Sequence, residues 1–176
     1  TFRPSICNRL DRNTSGIVAA GKSMAGLQSL SQMFHDRTIG KYYLCLTAGI
    51  IEKPSRVEGW LFKDERTNKV EILFQERPGS ARIITELEVH LITGKTHQIR
   101  AHLASVGHPL IGDHKYGASQ INREYEQKYH LQSQLLHAAR LQFPVCTQTL
   151  CNVSKKEFTA PLPKQFYRIA AEKGVL

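Results

Sequence analysis

Short strand-like segments separated by turns occupy much of this chain of 176 residues. Their content of β-branched and aromatic residues is typical of strands, and turn residues such as Gly79 interrupt them. The segments cover residues 17–20, 41–49, 56–62, 69–76, 81–92, 135–143 and 156–159. The polar stretch 64–68 between two of them predicts a hairpin, because a short polar turn joins antiparallel neighbours.

Helical patterns are fewer and lie between the predicted strands. Ser23 and Thr96 each precede an apolar stripe and can accept a hydrogen bond as helix N-caps. The predicted helices cover residues 24–36, 97–106, 118–131 and a short C-terminal segment that Pro163 opens. No repeat or low-complexity linker divides the chain. The pattern predicts a single α+β domain with a largely antiparallel mixed sheet and flanking helices.

The charge of the chain points to a class of partner. Lys and Arg number 24 against 15 Asp and Glu, so the net charge is +9 at pH 7. A strongly basic domain favours a polyanion as partner, nucleic acid first. A solvated basic surface without any partner is the alternative, and composition alone leaves it open.

Apolar runs and cysteines bear on the compartment. The apolar runs are far shorter than the roughly 20 residues of a membrane-spanning helix, so no membrane contact is predicted. The four cysteines include no Cys-x-x-Cys pair, which argues against a zinc knuckle or a redox motif. Free cysteines are typical of a reducing compartment and predict a cytoplasmic protein.

The first segment that could carry chemistry surrounds Asp11. This acid lies between Arg9 and Arg12, shortly before the apolar residues 17–20, which are predicted to form a buried strand. Neighbouring guanidinium groups favour a charged carboxylate, and a carboxylate nucleophile requires that charge. The alternative is an ordinary turn whose Asp and Asn side chains bond to the backbone, and spacing alone favours the turn.

A second candidate segment covers residues 93–103, at the start of the predicted helix 97–106. Lys95 opposes the helix dipole, but together with free backbone N–H groups it could form an anion site. Arg100 would flank the apolar stripe, where it could pair with a partly buried carboxylate. An amphipathic helix with a solvated basic side explains the same residues equally well.

Five of the eight histidines fall within residues 90–114, which raises the question of a metal site. His97 and His102 are five residues apart and therefore lie on different faces of a helix. No His-Glu-x-x-His pattern is present, and Asp113 is an isolated carboxylate. We therefore predict no metal, and assign the histidines to hydrogen bonding, helix capping and RNA contact.

A third candidate segment opens the predicted strand 41–49. Strand alternation places Lys41 and Tyr43 on one face and Tyr42 on the other. An aromatic ring beside a cation could stack on a base that is turned out of a nucleic acid. The alternative, which we prefer for Tyr42, is a core tyrosine.

Taken in order, these segments resemble the pseudouridine synthase family, in the branch that contains the large-ribosomal-subunit uridine synthases. The matching residues are Arg9-Leu10-Asp11, Thr14-Ser15-Gly16, Lys41, Tyr43, Gly49, Gly94-Lys95-Thr96-His97-Gln98-Ile99-Arg100, Gly107-His108-Pro109-Leu110, Gly112-Asp113, Tyr116-Gly117, Leu136-His137-Ala138, Phe158 and Ala160-Pro161-Leu162-Pro163. These residues form six motifs, at 9–16, 41–49, 94–100, 107–117, 136–138 and 158–163. Each motif is weak alone, whereas six in a fixed order are very specific.

The resemblance implies an isomerase that converts specific uridines in structured RNA to pseudouridine. It implies that Asp11 is the catalytic carboxylate, that Tyr43 stacks on the flipped base, and that Arg100 pairs with Asp11. The RNA-binding residues that we expect are Arg9, Arg12, Lys41, Lys95, His97 and Gln98. No cofactor is expected, because the reaction is an isomerisation. The expected partner is RNA, ribosomal RNA first and transfer RNA second.

The sequence departs from the family pattern at two positions and at its start. Asn8 stands where the family commonly has His, and Lys95 where it commonly has Arg, which forms a bidentate fork that Lys cannot. No Lys-Pro-Gly-type segment precedes the Asp11 motif. We therefore expect residues 1–176 to be one catalytic domain from a longer chain, without its N-terminal strands and without the small RNA-binding domain that many members carry.

A function from another class is a non-catalytic RNA-binding module that uses the same basic face. Asp11 discriminates the two, because a binding module has no use for a carboxylate that faces RNA and repels phosphate.

Overall fold

The computed structural model describes residues 2–51, 56–67, 69–86, 90–91, 93 and 95–175. Among these residues the strands are β1 (Ser5–Ile6), β2 (Ser15–Gly16), β3 (Ala20–Gly21), β4 (Gly40–Cys45), β5 (Arg56–Asp64), β6 (Lys69–Leu73), β7 (Ser80–Glu86), β8 (His90–Leu91), β9 (Leu136–Gln142) and β10 (Glu157–Thr159). The helices are α1 (Met24–His35), α2 (Gln98–Ser105), α3 (Ser119–Tyr129) and α4 (Lys164–Glu172), with a 3-10 helix at Gln148–Val153. None of the helices in these ranges is both long and apolar enough to cross a membrane.

Within the described ranges, one sheet of eight strands contains most of the strands. Its order is β10-β9-β4-β8-β7-β5-β6, with β2 also beside β9. The pairing of β2 with β9 is parallel, and the others in this sheet are antiparallel. β1 and β3 form a separate antiparallel pair. This architecture confirms the predicted α+β fold with a largely antiparallel mixed sheet.

Strand β2 is fixed to β9, directly after the Asp11 motif. Gly16 lies opposite Ala138 in the parallel register. It has φ +120°, and a Cβ atom there would stand 2.2 Å from the Ala138 carbonyl oxygen. Only glycine therefore allows the two backbones to approach this closely. Ser15 adds a hydrogen bond of 2.8 Å to Nδ1 of the buried His137, so this end of the motif is anchored in the sheet.

The first two helices begin in different ways. Ser23 caps α1 as predicted, and its hydroxyl accepts a hydrogen bond from the N–H of Gly26 at 3.1 Å. The predicted cap at Thr96 is wrong, because α2 begins after His97, which has a left-handed φ of 55° and no side-chain cap. Gln98 closes this turn instead, since its Oε1 accepts from the N–H of Lys95 at 3.1 Å.

The single strand predicted over residues 81–92 is wrong. The chain forms β7 and then β8, which pair antiparallel with Thr85 opposite Leu91. Residues 87–89, between the two strands, lie outside the described residues. A hairpin whose two arms keep the same alternation has the same pattern as one long strand, so periodicity alone does not separate them.

The buried strand predicted over residues 17–20 is also wrong. Of these residues only Ala20 belongs to a strand, and Val18 is 47% exposed. Ile17 and Ala19 pack against the buried cluster around Leu30 of α1. The alternation therefore reflects packing of an irregular segment on a helix rather than a ladder of strand hydrogen bonds.

One apolar cluster joins α2, β4 and β9, which carry three of the motifs named in the sequence analysis. Its buried members are Ile99, Leu103, Leu110 and Leu136. Tyr43 and Cys45 of β4 pack against it, and burial raises the pKa of the Cys45 thiol to about 12. The cluster holds α2 against β4 and β9, and so fixes the relative positions of side chains that are distant in sequence.

Candidate active site

A cavity of about 260 Å³ lies where the N-terminal loop, β4 and the start of α2 meet. Asp11, Tyr43 and Arg100, the three residues expected to be catalytic, all line it. The expected RNA-binding residues that line it are Arg9, Lys41, Lys95 and Gln98. The structure thus gathers into one cavity residues that the sequence separates by up to 91 positions.

Asp11 lies on a loop without regular secondary structure, and hydrogen bonds to the backbone shape this loop. The N–H of Thr14 donates to the Asp11 carbonyl at 3.0 Å, which closes a turn. Nε2 of the buried Gln134 donates to the carbonyl of Arg12 at 2.8 Å. The backbone is therefore held, while the Asp11 side chain faces the cavity and keeps 24% of its surface exposed.

Arg100 is the centre of charge in the site. Its Nε and one terminal nitrogen donate to the two carboxylate oxygens of Asp113 at 2.7 and 2.8 Å. The other terminal nitrogen lies 3.7 Å from Oδ2 of Asp11. The side chains of Arg100 and Asp113 are 9% and 0% exposed. The bidentate pair with Asp113 therefore fixes the guanidinium group of Arg100, and the terminal nitrogen that does not bind Asp113 faces Asp11.

The Asp113 carboxylate stays charged despite its burial. Burial opposes its ionisation, but the hydrogen bonds from Arg100 and from the N–H groups of Lys115 and Tyr116 outweigh burial and hold its pKa below the ordinary value. Burial likewise opposes the charge of Arg100, and the bonds to Asp113 outweigh it and raise the pKa of Arg100. Each partner keeps the other charged.

Tyr43 lies in the wall of the cavity, on the face of β4 that packs against the apolar cluster. Burial, with a further effect from the charge of Asp11, raises its pKa to about 12. Its hydroxyl is therefore protonated at neutral pH. This arrangement suits a ring that stacks on a base and a hydroxyl that donates a hydrogen bond, rather than a free phenolate.

The two positions that depart from the family pattern both line the cavity. Oδ1 of Asn8 accepts a hydrogen bond from the N–H of Ala19 at 2.8 Å, so this side chain stabilises the loop that contains Asp11. Lys95 is exposed, and it enters the cavity wall from the turn before α2. Asn8 therefore has a structural contact of its own, and Lys95 is placed to meet an anion.

The other predicted basic residues differ in position. Arg9 is exposed at the cavity. Lys41 lines it too, and burial together with the charge of Arg37 lowers the pKa of its ammonium group. Arg12 is exposed and lies outside the lining, so the structure does not bring it together with the rest.

His97 and Gln98 are held by the protein. Nδ1 of His97 is 3.0 Å from the hydroxyl of Tyr116, and burial lowers the pKa of its ring. Gln98 is only 2% exposed, and its amide bonds to Thr93 at 2.8 Å and to the carbonyl of Ile84 at 3.0 Å. We therefore expect Gln98 to shape the turn before α2 rather than to contact RNA directly.

Asp113 and Tyr116 are functional candidates that the residue spacing does not reveal. Asp113 is isolated in the sequence, since 13 positions separate it from Arg100. The glycines around it are the available signal: Gly112 has φ +79°, and a Cβ atom there would stand 2.2 Å from the carbonyl oxygen of Ser133. Only glycine fits a turn that lies this close to another backbone segment, so the next residue, Asp113, is held in a fixed position.

Comparisons with known proteins show which family the chain matches. Residues 1–105 match the family model described as RNA pseudouridylate synthase. The chain is 30% identical over 175 residues to the ribosomal large subunit pseudouridine synthase C of Vibrio vulnificus, and the match covers 93% of this chain and 53% of that protein. The chain spans about half the length of the curated relatives it matches.

Solved structures show the same fold. Human RNA pseudouridylate synthase domain containing 4 superposes with a TM-score of 0.75 at 20% identity, covering 96% of this chain and 75% of that one. Human RNA pseudouridylate synthase domain containing 1 gives a TM-score of 0.68 at 22% identity, covering 97% and 80%.

Proposed function

Because the chain belongs to the RNA pseudouridylate synthase family, we propose that it isomerises specific uridines in structured RNA to pseudouridine. The observation that carries the proposal is the placement of Asp11. Its carboxylate is 24% exposed at the cavity and lies 3.7 Å from a nitrogen of Arg100. Asp113, whose carboxylate serves the fold, is by contrast buried and accepts four hydrogen bonds.

In the proposed reaction, the bond between N1 of uracil and the anomeric carbon of ribose breaks. The base rotates, and C5 bonds to the anomeric carbon in its place. C5 loses a proton and N1 gains one, so the atoms balance without a cofactor. Asp11 is the nucleophile, and it attacks either the anomeric carbon, displacing N1, or the uracil ring. The bond that it forms breaks again by the time the C5-linked product is complete, so the carboxylate is regenerated. The terminal nitrogen of Arg100 that does not bind Asp113 orients the Asp11 carboxylate.

A uridine within an RNA helix cannot reach Asp11 until it leaves the stack. Flipping costs a few kcal/mol, which new contacts in the cavity must offset. The ring of Tyr43 is placed to stack on the flipped base, and its protonated hydroxyl can donate to it. Arg9 and Lys95 at the cavity can bind the flanking phosphates.

The proposed substrate is ribosomal RNA, with transfer RNA as the second candidate. The net charge of +9 suits a polyanion. The name of the Vibrio vulnificus relative refers to the large ribosomal subunit. The cysteines in the described residues are free thiols, which supports a cytoplasmic location for the reaction.

The test compares ribosomal and transfer RNA from cells that lack the protein with RNA from cells that regain it. Pseudouridine has the same mass as uridine, so chemical labelling specific for pseudouridine precedes mass mapping. We expect a site that is absent without the protein, restored by wild type and not restored by Asp11→Asn. Restoration by Asp11→Asn would contradict the role of Asp11, and an unchanged pseudouridine map would contradict the proposed function.

A further inference from the structure

We propose that a buried polar network holds Lys95 in position to bind an RNA phosphate at the cavity. The members of this network are Thr85, Thr93, Gln98 and His102, and they act on the bound strand through Lys95 rather than by touching it. The inference deepens the proposed function and rests on it, because it takes RNA as the ligand and Lys95 as a phosphate contact.

The backbone of Lys95 is bonded on both sides to a single residue. Its N–H donates to Oε1 of Gln98 at 3.1 Å, and its carbonyl accepts from the N–H of Gln98 at 3.1 Å. Between them His97 has a left-handed φ of 55°, a conformation that residues other than glycine rarely adopt and that persists where the surroundings enforce it. The position from which the Lys95 side chain leaves the protein is therefore set by Gln98.

The side-chain amide of Gln98 is buried and uses its full capacity for hydrogen bonds. Its Oε1 accepts from the hydroxyl of Thr93 at 2.8 Å as well as from Lys95. Its Nε2 donates to the carbonyl of Ile84 at 3.0 Å and, in a longer bond, to Oγ1 of Thr85 at 3.4 Å. Reversing the amide would set its nitrogen against the N–H of Lys95 and its oxygen against the Ile84 carbonyl, so the network allows one orientation.

Thr85 and His102 anchor the network in the sheet and in α2. Thr85 of β7 is fully buried, and its hydroxyl lies 2.9 Å from Nδ1 of His102, about one helical turn beyond Gln98. Burial lowers the pKa of the His102 ring, while the carbonyl of Glu58 acts in the opposite direction. The ring is therefore neutral at pH 7 and can accept from the Thr85 hydroxyl. The network ties the turn before α2 to β7 without a buried charge.

The network specifies an arrangement of the chain more than it adds stability. Four buried polar side chains stabilise a fold little better than apolar side chains of the same size, whereas a fully bonded network fixes a unique geometry. The geometry fixed here is that of the turn that brings Lys95 to the cavity. Because lysine has a long flexible stem, fixing its backbone lowers the entropy that a phosphate contact must overcome.

The test is a double-mutant cycle on RNA affinity, in which Thr93→Val perturbs the network and Lys95→Gln removes the phosphate contact. Thr93 is 4% exposed and lies outside the cavity lining, so it does not contact RNA itself. The probe is an RNA hairpin with one uridine in its loop, and every protein carries Asp11→Asn so that binding is measured without turnover. We expect Thr93→Val to weaken binding about fivefold when Lys95 is present, and less than about twofold in the Lys95→Gln background.

Two controls separate positioning from a general loss of stability. Thr93→Ser keeps the hydroxyl and should retain wild-type affinity. Thr38→Val removes a hydroxyl that donates to the carbonyl of Met33 at 3.3 Å, outside the cavity lining, and should leave affinity unchanged in both backgrounds. Thermal melting checks that each protein is folded at the assay temperature. If Thr93→Val does not fold, Thr85→Val, which removes the longest bond to Gln98, takes its place in the cycle.

Equal losses of affinity in both Lys95 backgrounds would overturn the inference, because the network would then act on the fold as a whole. Wild-type affinity in the folded network variant would overturn it too. If Lys95→Gln alone leaves affinity unchanged, no phosphate contact exists to be positioned, and the inference fails as well. The cycle measures binding alone, so coupling combined with an unchanged pseudouridine map would contradict the proposed isomerisation and still support the network.

Discussion

The loop of Asp11 and the turn of Asp113 present carboxylates to the same guanidinium, but in different ways. Asp113 is 0% exposed and bonds to Arg100 at 2.7 and 2.8 Å. Asp11 is 24% exposed and stands at 3.7 Å, beyond hydrogen-bond distance. The turn is held by the side chain of Asn122, which bonds to the N–H of Gly112 and to the carbonyl of Asp113 nine residues away. The loop is held by Gln134, a side chain that is 122 positions away in the sequence.

The difference separates two roles of a carboxylate: Asp113 balances the charge of Arg100, whereas Asp11 keeps its own charge available for a substrate. A buried arginine without a partner would be costly, and Asp113 offsets that cost through two short hydrogen bonds. Because Asp113 occupies two of the guanidinium nitrogens, Asp11 receives orientation and charge balance from the third without being bonded into the structure. A carboxylate in that state can approach a substrate, whereas one with four hydrogen bonds cannot.

The sharpest test of this contrast is Asp11→Asn. The substitution keeps the shape of the side chain and removes the nucleophile, so the rate of pseudouridine formation should fall about ten-thousandfold or more. Stability should change by less than about 0.5 kcal/mol, because no short hydrogen bond of the fold is lost. Activity and chemical denaturation are measured on the same preparation. More than about a tenth of wild-type activity would refute the role of Asp11.

Arg100→Ala should remove the support of both carboxylates. Leaving Asp113 buried without its partner should cost about 3 kcal/mol in the free energy of unfolding. Turnover should fall too, because Asp11 loses its orientation. Urea titrations and single-turnover assays check the two effects, and unchanged stability would show that Asp113 does not depend on this pair.

The pH dependence of that loss has a definite sign. In wild type the pKa of Asp113 is lowered, so the pair stabilises fully above the unfolded value, about 3.9, and this contribution is lost as the pH falls through the folded pKa. Without the guanidinium, burial dominates and raises the pKa of Asp113, so stability is lost as the pH rises. The difference in stability between wild type and Arg100→Ala should therefore widen between about pH 3 and pH 6. Parallel curves would contradict the assignment.

Tyr43→Phe tests the surroundings of Asp11, because the charge of Asp11 contributes to the raised pKa of Tyr43. Stacking survives the change and the hydroxyl does not, so RNA affinity should hold while turnover falls about a hundredfold. Tyr43→Ala is the companion variant, and it should lose affinity as well. Wild-type turnover in Tyr43→Phe would leave the ring as a stacking platform alone.

Asp113→Asn should cost less stability than Arg100→Ala. The amide fills the same space, but its nitrogen cannot accept, so at least one of the hydrogen bonds from Arg100 and the backbone is lost, which costs about 2 kcal/mol of stability. The contrast with Asp11→Asn is the measurement that matters. If the two variants lose equal stability, the proposed division between a structural and a chemical carboxylate is wrong.

Local chemistry made parts of the fold predictable. The Ser23 cap and the polar turn 64–68 act on neighbouring residues, and both the helix α1 and the hairpin of β5 and β6 are as expected. The errors arise where contacts between distant parts of the chain determine the secondary structure. The reversal between β7 and β8 and the irregular run at Val18 depend on partners that periodicity does not contain.

The candidate site shows the same limit. The order of motifs pointed to Asp11, Tyr43 and Arg100, and the structure places all three at one cavity. The Arg100–Asp113 pair could not be derived from spacing, because it depends on where a turn returns to a helix. Glutamine is a residue type that often contacts RNA, but Gln98 is buried and its amide donates to the carbonyl of Ile84.

The hydrogen bond from Gln134 to the carbonyl of Arg12 spans 122 positions of the chain, and this has a consequence for synthesis on the ribosome. The loop of Asp11 emerges first, but the side chain that holds it follows only after roughly 6–24 s of translation at ordinary rates. Until then the nascent chain carries the proposed nucleophile on a loop that lacks its contact with Gln134. The loop is thus ordered late, and the appearance of activity during translation would report that the last strands of the sheet have docked.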